Sequence, residues 1–237
     1  MRFGGIVALD ALSLSLQPGD LRCILGPNGC GKTTLFNVLT GALKPTSGRV
    51  RFRSMEIGGK TPQAIARLGI SRKFQVPGIY PELTVFENLE VPMAASSRRP
   101  GIVSLLRMKP DRGRVDDLLA FSGLGRKVHV PAGELAHGEK QKLEIAMLLA
   151  VEADLILLDE PTAGMSKGET AAVADLVRRL TVERGKTVLV IEHDMNFVRD
   201  LQCHVLVMAR GGMIAEGSFD EVRSDPLVIE SYLGRAA

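Results

Sequence analysis

Residues 25–34 read LGPNGCGKTT and carry the pattern G-x-x-x-x-G-K-[ST], filled by Gly26, Gly31, Lys32 and Thr33. Gly26, Gly29 and Gly31 let the backbone curl so that successive N–H groups point inward and cradle a phosphate chain. Pro27, Asn28, Cys30 and Thr34 complete the loop. Lys32 offers a positive charge to β- and γ-phosphates, and the Thr33 hydroxyl is a ligand for Mg²⁺. The helix that starts here turns its N-terminal dipole toward the same anion. A glycine-rich turn alone would carry little weight. Here apolar LRCIL precedes the loop and LFNVLTGAL follows it, the strand and helix that the motif requires.

A second motif, LILLDEPTAG at residues 155–164, delivers two carboxylates to the C-terminal edge of a buried strand, where ligands bind in α/β sheets. An Asp-Glu pair at a strand end is ordinary by itself. Linked to the phosphate loop, Asp159 is placed to hold Mg²⁺, and Glu160 to orient or deprotonate the water that attacks a γ-phosphate.

The rest of the chain supplies the frame. Leu12, Leu14 and Leu16 alternate with serines and predict a half-buried strand ended by Pro18-Gly19. Residues 21–25, 49–52, 70–75, 154–158, 187–191 and 205–208 read as strands. Residues 32–43, 63–68, 111–122, 138–150 and 166–185 read as helices, with two short ones around Glu221 and Ile229. Thr84 and Glu87, and Ser166 and Glu169, have capping-box spacing and open helices. Arg210-Gly211-Gly212 predicts a hairpin turn. Buried strands alternating with helices imply an α/β fold with a largely parallel sheet. Residues 98–114 hold six basic side chains against Asp111, a run read as a solvated connector or a contact with lipid head groups or a membrane subunit.

Composition narrows the class. The 237 residues are 45% hydrophobic and 24% charged, enough to bury one sizeable core. A net charge of +3 argues against nucleic acid as the main partner. Three scattered cysteines form neither a disulfide framework nor a metal site, which favours a reducing cytosol. The N-terminus reads as strand-like rather than as a leader, and no apolar run reaches the roughly 18 residues of a membrane span.

A third motif, LAHGEKQ at residues 135–141, carries a resemblance to the ATP-binding subunits of ABC transporters. Their LSGGQ signature is matched in order by Leu135, Ala136, His137, Gly138 and Glu139. Gln75 matches the Q-loop glutamine, His193 in VIEHDM the switch histidine, and residues 163–166 the D-loop. Phe3 in RFGGIVALD matches the aromatic that stacks on adenine. The resemblance runs from about Phe3 to Leu233.

It implies a P-loop NTPase core of RecA type, an antiparallel β region and an α-helical subdomain. The core spans residues 1–75 and 151–237, and the helical subdomain residues 76–150, together one ABC ATPase domain. It further implies ATP and Mg²⁺ as cofactors, with Lys32, Gln75, Glu160 and His193 catalytic and Thr33, Gln75 and Asp159 at the metal. The signature of one subunit would complete the ATP site of a second ATPase subunit, identical or paralogous. Gly138 would open a helix whose free N–H groups meet that partner's γ-phosphate. Two membrane permeases and, indirectly, a periplasmic solute-binding protein would complete an importer, with this chain peripheral on the cytoplasmic face of the inner membrane.

Ala136 stands where the signature usually has serine, which removes a hydroxyl contact, and His137 and Glu139 replace glycine and glutamine. Ser166 replaces the D-loop aspartate. A strand usually precedes the adenine-stacking aromatic, and Phe3 is almost terminal, so either that strand is absent or the start lies upstream. Alkylation of Cys30, inside the phosphate loop, is expected to block nucleotide binding. GISRKFQVP, LTVFENLE, PTAGM and EHDMNFV are similar to subunits serving branched-chain amino acid and urea or short-amide uptake. The signature with its histidine and the ending AEGSFDEVRSDPLVIESYLG look closer to the urea type. A clamp on ribosomes or DNA would usually need tandem cassettes or a coiled-coil insertion, and a kinase or GTPase an acceptor site or base-reading motif; neither is evident.

Overall fold

The computed structural model describes residues 1–73, 78–96 and 111–233. The strands are β1 (Arg2–Phe3), β2 (Ile6–Val7), β3 (Leu21–Leu25), β4 (Arg51–Phe52), β5 (Met55–Glu56), β6 (Ile70–Lys73), β7 (Leu155–Asp159), β8 (Thr187–Ile191), β9 (His204–Ala209) and β10 (Gly212–Gly217). The helices are α1 (Lys32–Leu39), α2 (Pro62–Leu68), α3 (Val85–Ser96), α4 (Arg112–Ser122), α5 (His137–Ala150), α6 (Lys167–Val182), α7 (Met195–Leu201), α8 (Phe219–Ser224) and α9 (Pro226–Leu233).

Six strands form the main sheet in the order β10-β9-β3-β8-β7-β6. All neighbours are parallel except the β9–β10 hairpin. Two further pairs, β1–β2 and β4–β5, are antiparallel. The expected ABC ATPase fold, a mostly parallel sheet with an antiparallel region and helices, is therefore what the chain adopts.

Strand residues alternate between two cores, as the two-residue period demands. Cys23, Leu25, Ile156, Leu158, Val188, Val190, Val205 and Val207 join the core beneath α3 to α7. Ile24, Leu155, Leu157, Leu189, Ile191, Leu206 and Met208 face α1 and α2 through Leu35, Phe36 and Ile65. Both faces are covered, so the strands read as continuous apolar runs.

Helix ends follow their caps. Thr84 N–H donates to Glu87 Oε2 at 2.8 Å, while Glu87 N–H donates to Thr84 Oγ1 at 3.2 Å. Ser166 and Ser218 head equivalent boxes with Glu169 and Glu221. α2 stops at Gly69 and α4 at Gly123, both left-handed. The first helix is shorter than expected: it ends at Leu39 and not at residue 43, because Gly41 turns left-handed (φ 74°) against the Lys60 carbonyl.

Several expectations are corrected. Leu12, Leu14 and Leu16 keep their alternating burial against the second core but form no ladder. Their period was legible; the pairing partner was not. The strand read over 49–52 is only Arg51–Phe52, paired with Met55–Glu56. Phe3 lies in a two-residue strand of its own, paired with Ile6–Val7. α7 escaped notice, although Asp194 accepts from Asn196 N–H at 2.8 Å as its N-cap. Of the basic run, residues 98–110 lie outside the described residues. Arg114 within it lies in α4, where it donates to the Ala150 carbonyl at 2.8 Å and pairs with Glu152 at 2.9 Å.

Candidate active site

β3 lies between β8 and β9, and its C-terminal end feeds the phosphate loop into α1. Gly31 has φ 108°, and a Cβ there would overlap the Ala8 carbonyl oxygen; at Gly26 (φ 157°) it would overlap that of Met208. The glycines are thus required by close approach of two backbones. Gly211 N–H donates to the Cys30 carbonyl at 3.0 Å, which fixes the far side. The Lys32 ammonium is buried and folds back onto the Gly26 and Pro27 carbonyls at 2.6 and 3.0 Å. It thereby sits within the loop it is expected to serve. Among the described residues, no backbone carbonyl engages the N–H groups of Gly29, Gly31, Lys32 and Thr33. These donors are what an anion would use. Thr33 is exposed, and Cys30 is buried beneath Gly26, where it fills space.

Two strands away, β7 ends on Asp159, which is 1% exposed. Its Oδ2 accepts from Arg72 of β6, while Oδ1 is buried with no hydrogen-bond partner among the described residues. Arg72 also donates to Asn37 Oδ1 at 2.6 Å and lies 5.4 Å from the Phe36 ring. It therefore joins the strand carrying the carboxylate to the helix behind the phosphate loop. Sequence reasoning missed Arg72, which has no motif of its own.

Glu160 follows with φ 47°, its N–H held by the Ile191 carbonyl at 2.9 Å. This crossing bond aligns it with the end of β8, and Glu160 Oε1 comes within 3.7 Å of His193 Nδ1. Glu192 makes that geometry stiff. Its Oε1 accepts from Thr162 N–H and Oγ1 at 3.0 and 2.5 Å, and its Oε2 from the N–H groups of His193 and Asp194 at 2.9 and 3.2 Å. A fully buried carboxylate with four donors is satisfied and locks the two loops together. Glu192 was also missed; its only signal was its place before His193.

The signature opens α5. Leu135 is buried, and Ala136 occupies the N-cap without a side-chain bond. The helix starts at His137 and not at Gly138, and Gly138 N–H is not free: it donates to Glu169 Oε1 at 3.2 Å. His137 Nε2 meets the Ala163 carbonyl at 3.0 Å, which ties the signature to residues 163–166 of the same chain. Glu139 bonds Ala136 N–H at 3.0 Å and Lys127 Nζ at 2.7 Å. The Lys127 bond holds its carboxyl below the usual range against the opposing effect of burial, and the Ala136 N–H adds to the lowering. Phe3 is exposed on β1, a few residues ahead of Ala8 and the phosphate loop. Gln75 lies outside the described residues.

The structure thus gathers the phosphate loop, Asp159, Glu160 and His193 at one sheet edge, while Leu135 to Glu139 lead into the first turn of α5. Residues 9–163 match the family model described as ABC transporter, and residues 213–237 that of the branched-chain amino acid ATP-binding cassette transporter. The high-affinity branched-chain amino acid transport ATP-binding protein LivG of Salmonella typhimurium is 37% identical over 243 residues, covering 100% of this chain and 95% of the relative. The crystal structure of the ADP conformation of MJ1267, an ATP-binding cassette of an ABC transporter, is 36% identical with TM-score 0.84, covering 99% of this chain and 95% of that one. The dimeric post-hydrolysis state of the cassette MJ0796 with ADP and Pi is 27% identical with TM-score 0.76, covering 92% and 94%. The ending that looked closer to the urea type lies in the segment matching the branched-chain amino acid model. The chain belongs to the ABC transporter family, as an ATP-binding ATPase subunit of the branched-chain amino acid type.

Proposed function

We propose that the chain is the ATP-hydrolysing motor of an importer for branched-chain amino acids. The observation that carries this is the approach of Glu160 Oε1 to His193 Nδ1, 3.7 Å, together with a phosphate loop whose Gly29, Gly31, Lys32 and Thr33 N–H groups meet no backbone carbonyl among the described residues. Glu160 orients or deprotonates the attacking water, His193 steadies the γ-phosphate side of that carboxylate, and Lys32 turns from the loop carbonyls to the phosphates. Asp159 Oδ1, buried without a hydrogen-bond partner, fits a metal ligand, with Thr33 and Gln75 as the other protein ligands. Bound Mg²⁺ would supply neutralisation of phosphate charge. Phe3 stacks on the adenine.

Residues 1–75 and 151–237 form the nucleotide-binding core and residues 76–150 the helical subdomain; the mutual packing of α3, α4 and α5 supports that division. Two such chains close head to tail, because the signature and the phosphate loop lie on different parts of one chain. A similar cassette solved as a dimer with ADP and Pi supports the pairing of two chains. Closure exchanges Glu169 for the partner's γ-phosphate at Gly138 N–H. Two membrane permeases and a periplasmic binding protein complete the assembly, with this chain on the cytoplasmic face of the membrane. No described helix is long and apolar enough to cross a membrane.

The solute is favoured by the similarity to branched-chain amino acid subunits over the urea preference drawn from sequence phrases. The test is uptake of labelled leucine and labelled urea in cells lacking the gene, complemented with wild type or Glu160→Gln. Loss of leucine uptake restored by wild type alone supports the reading. Loss of urea uptake alone keeps the motor and overturns the solute; no change in either overturns the importer. Purified Glu160→Gln should lose about 10²–10⁴-fold in kcat, the scale of general-base catalysis.

A further inference from the structure

Lys73 is the last residue of β6, and Gly78 is the next described residue after it. Both are held by one carboxylate, that of Glu144 on α5. Glu144 Oε1 accepts from Gly78 N–H at 2.9 Å. Its Oε2 lies 3.1 Å from Lys73 Nζ, close enough for an ion pair though off hydrogen-bond geometry. The two side chains are 6% and 5% exposed, so water screens this pair little. Glu144 is about two turns along the helix whose first residue is His137. One side chain thus fastens both flanks of residues 74–77 to the element that presents the signature.

We propose that Glu144 is a positioning residue for ATP hydrolysis, coupling the flanks of the Gln75 segment to the signature helix so that they move as one body. The inference rests on the functional reading above. Stability alone is a poor reason for such a pair: two buried charges lose hydration, and apolar side chains of similar volume often serve as well or better. Burial pushes the Glu144 carboxyl up, and Lys73 and then Gly78 pull it back, so the ionised form depends on both tethers. Removing one charge of the pair leaves the other buried without its counterpart. Met at both positions removes both charges and keeps the volume.

The experiment compares purified full-length wild type, Glu144→Gln and the double variant Lys73→Met/Glu144→Met. The readouts are thermal unfolding, affinity for a fluorescent ATP analogue, and kcat and KM for ATP. The double variant should keep its melting temperature and bind the analogue as wild type does, since the phosphate loop is untouched. Its kcat should fall on the order of 10–100-fold, the scale for displacing reacting groups by up to an ångström. Glu144→Gln, which keeps an acceptor for Gly78 N–H and loses the charge, should fall between the two. A double variant with wild-type kcat overturns the proposal. Should that variant fail to fold, wild-type kcat in Glu144→Gln overturns it equally. A wild type without ATPase activity would bring down the functional reading and this inference together; an active wild type matched by the variants overturns this inference alone.

Discussion

Ala136→Ser should both stabilise the resting chain and tighten its response to ATP. Three helices of this protein begin with nearly the same N-cap backbone: Ala136 (φ −61°, ψ 158°), Ser166 (φ −71°, ψ 160°) and Ser218 (φ −65°, ψ 163°). At the two serines the hydroxyl accepts the N–H of the glutamate three residues on, at 3.5 and 3.3 Å. A serine at 136 inherits that geometry, with Glu139 already bonded to the N-cap N–H. Gly138 N–H is engaged by Glu169, and Glu139 N–H donates to the Ala136 carbonyl at 3.0 Å, a donor the new hydroxyl would share. An N-cap serine in place of alanine contributes about 0.5–2 kcal/mol. For a chain of this size, 1 kcal/mol raises Tm by about 2–4 °C. The same hydroxyl can donate to a γ-phosphate of the partner subunit, a bond to a charged group worth about 1.5–3 kcal/mol. That corresponds to roughly a 10- to 150-fold gain in ATP-driven closure. The assay is calorimetry without nucleotide, then ATPase rate against ATP concentration, with Ala136→Val as a control that cannot cap. Equal Tm and equal ATP dependence in the serine variant and wild type would refute the reasoning.

Gly31→Ala should abolish nucleotide binding and destabilise the chain by about 1–3 kcal/mol or more, since its φ of 108° and the Ala8 carbonyl both forbid a Cβ. Wild-type Tm together with wild-type ATP affinity would sink that expectation. Acid should weaken the fold through its capping carboxylates. Backbone bonds from Thr84 and Ser218 chiefly hold Glu87 and Glu221 below their ordinary range, and the Ser166 hydroxyl does so for Glu169. A depressed folded-state pKa means that the folded chain binds these protons less readily than the unfolded one. Their contribution is therefore complete above the unfolded value, about 4.3, and fades as pH drops through the folded values. Urea midpoints should fall between about pH 5 and about pH 3, and less steeply in Glu87→Gln/Glu221→Gln. Identical slopes in the two proteins would contradict it.

The strands of the sheet, the capping boxes and the phosphate loop were legible because each rests on local chemistry: an apolar run, a Ser or Thr three residues before Glu, glycines at fixed spacing. Leu21–Leu25 and Thr187–Ile191 came out with their bounds intact for that reason. Leu12 to Leu16 failed differently. Period alone says which side chains go inward, whereas a ladder needs a neighbour that no local pattern specifies. At the site, Glu160 and His193 were legible from motifs, but the carboxylate on Gly138 N–H was not. It joins the N-terminus of one helix to the first turn of the next, 31 positions away in sequence. Arg72, Glu144 and Glu192 share that character. Each is a charge whose meaning is its buried partner, and the partner is chosen by topology.

Glu160 holds a left-handed backbone, φ 47°, that costs a glutamate more than it costs glycine or asparagine. Heat tolerance and motor function therefore pull in opposite directions at this one position. A laboratory screen that rewards only soluble, heat-resistant protein should enrich Glu160→Gly and Glu160→Asn, and every such winner would have lost the carboxylate proposed above to activate water. Where selection acts on transport, the strain is retained as a standing cost of keeping that group aimed.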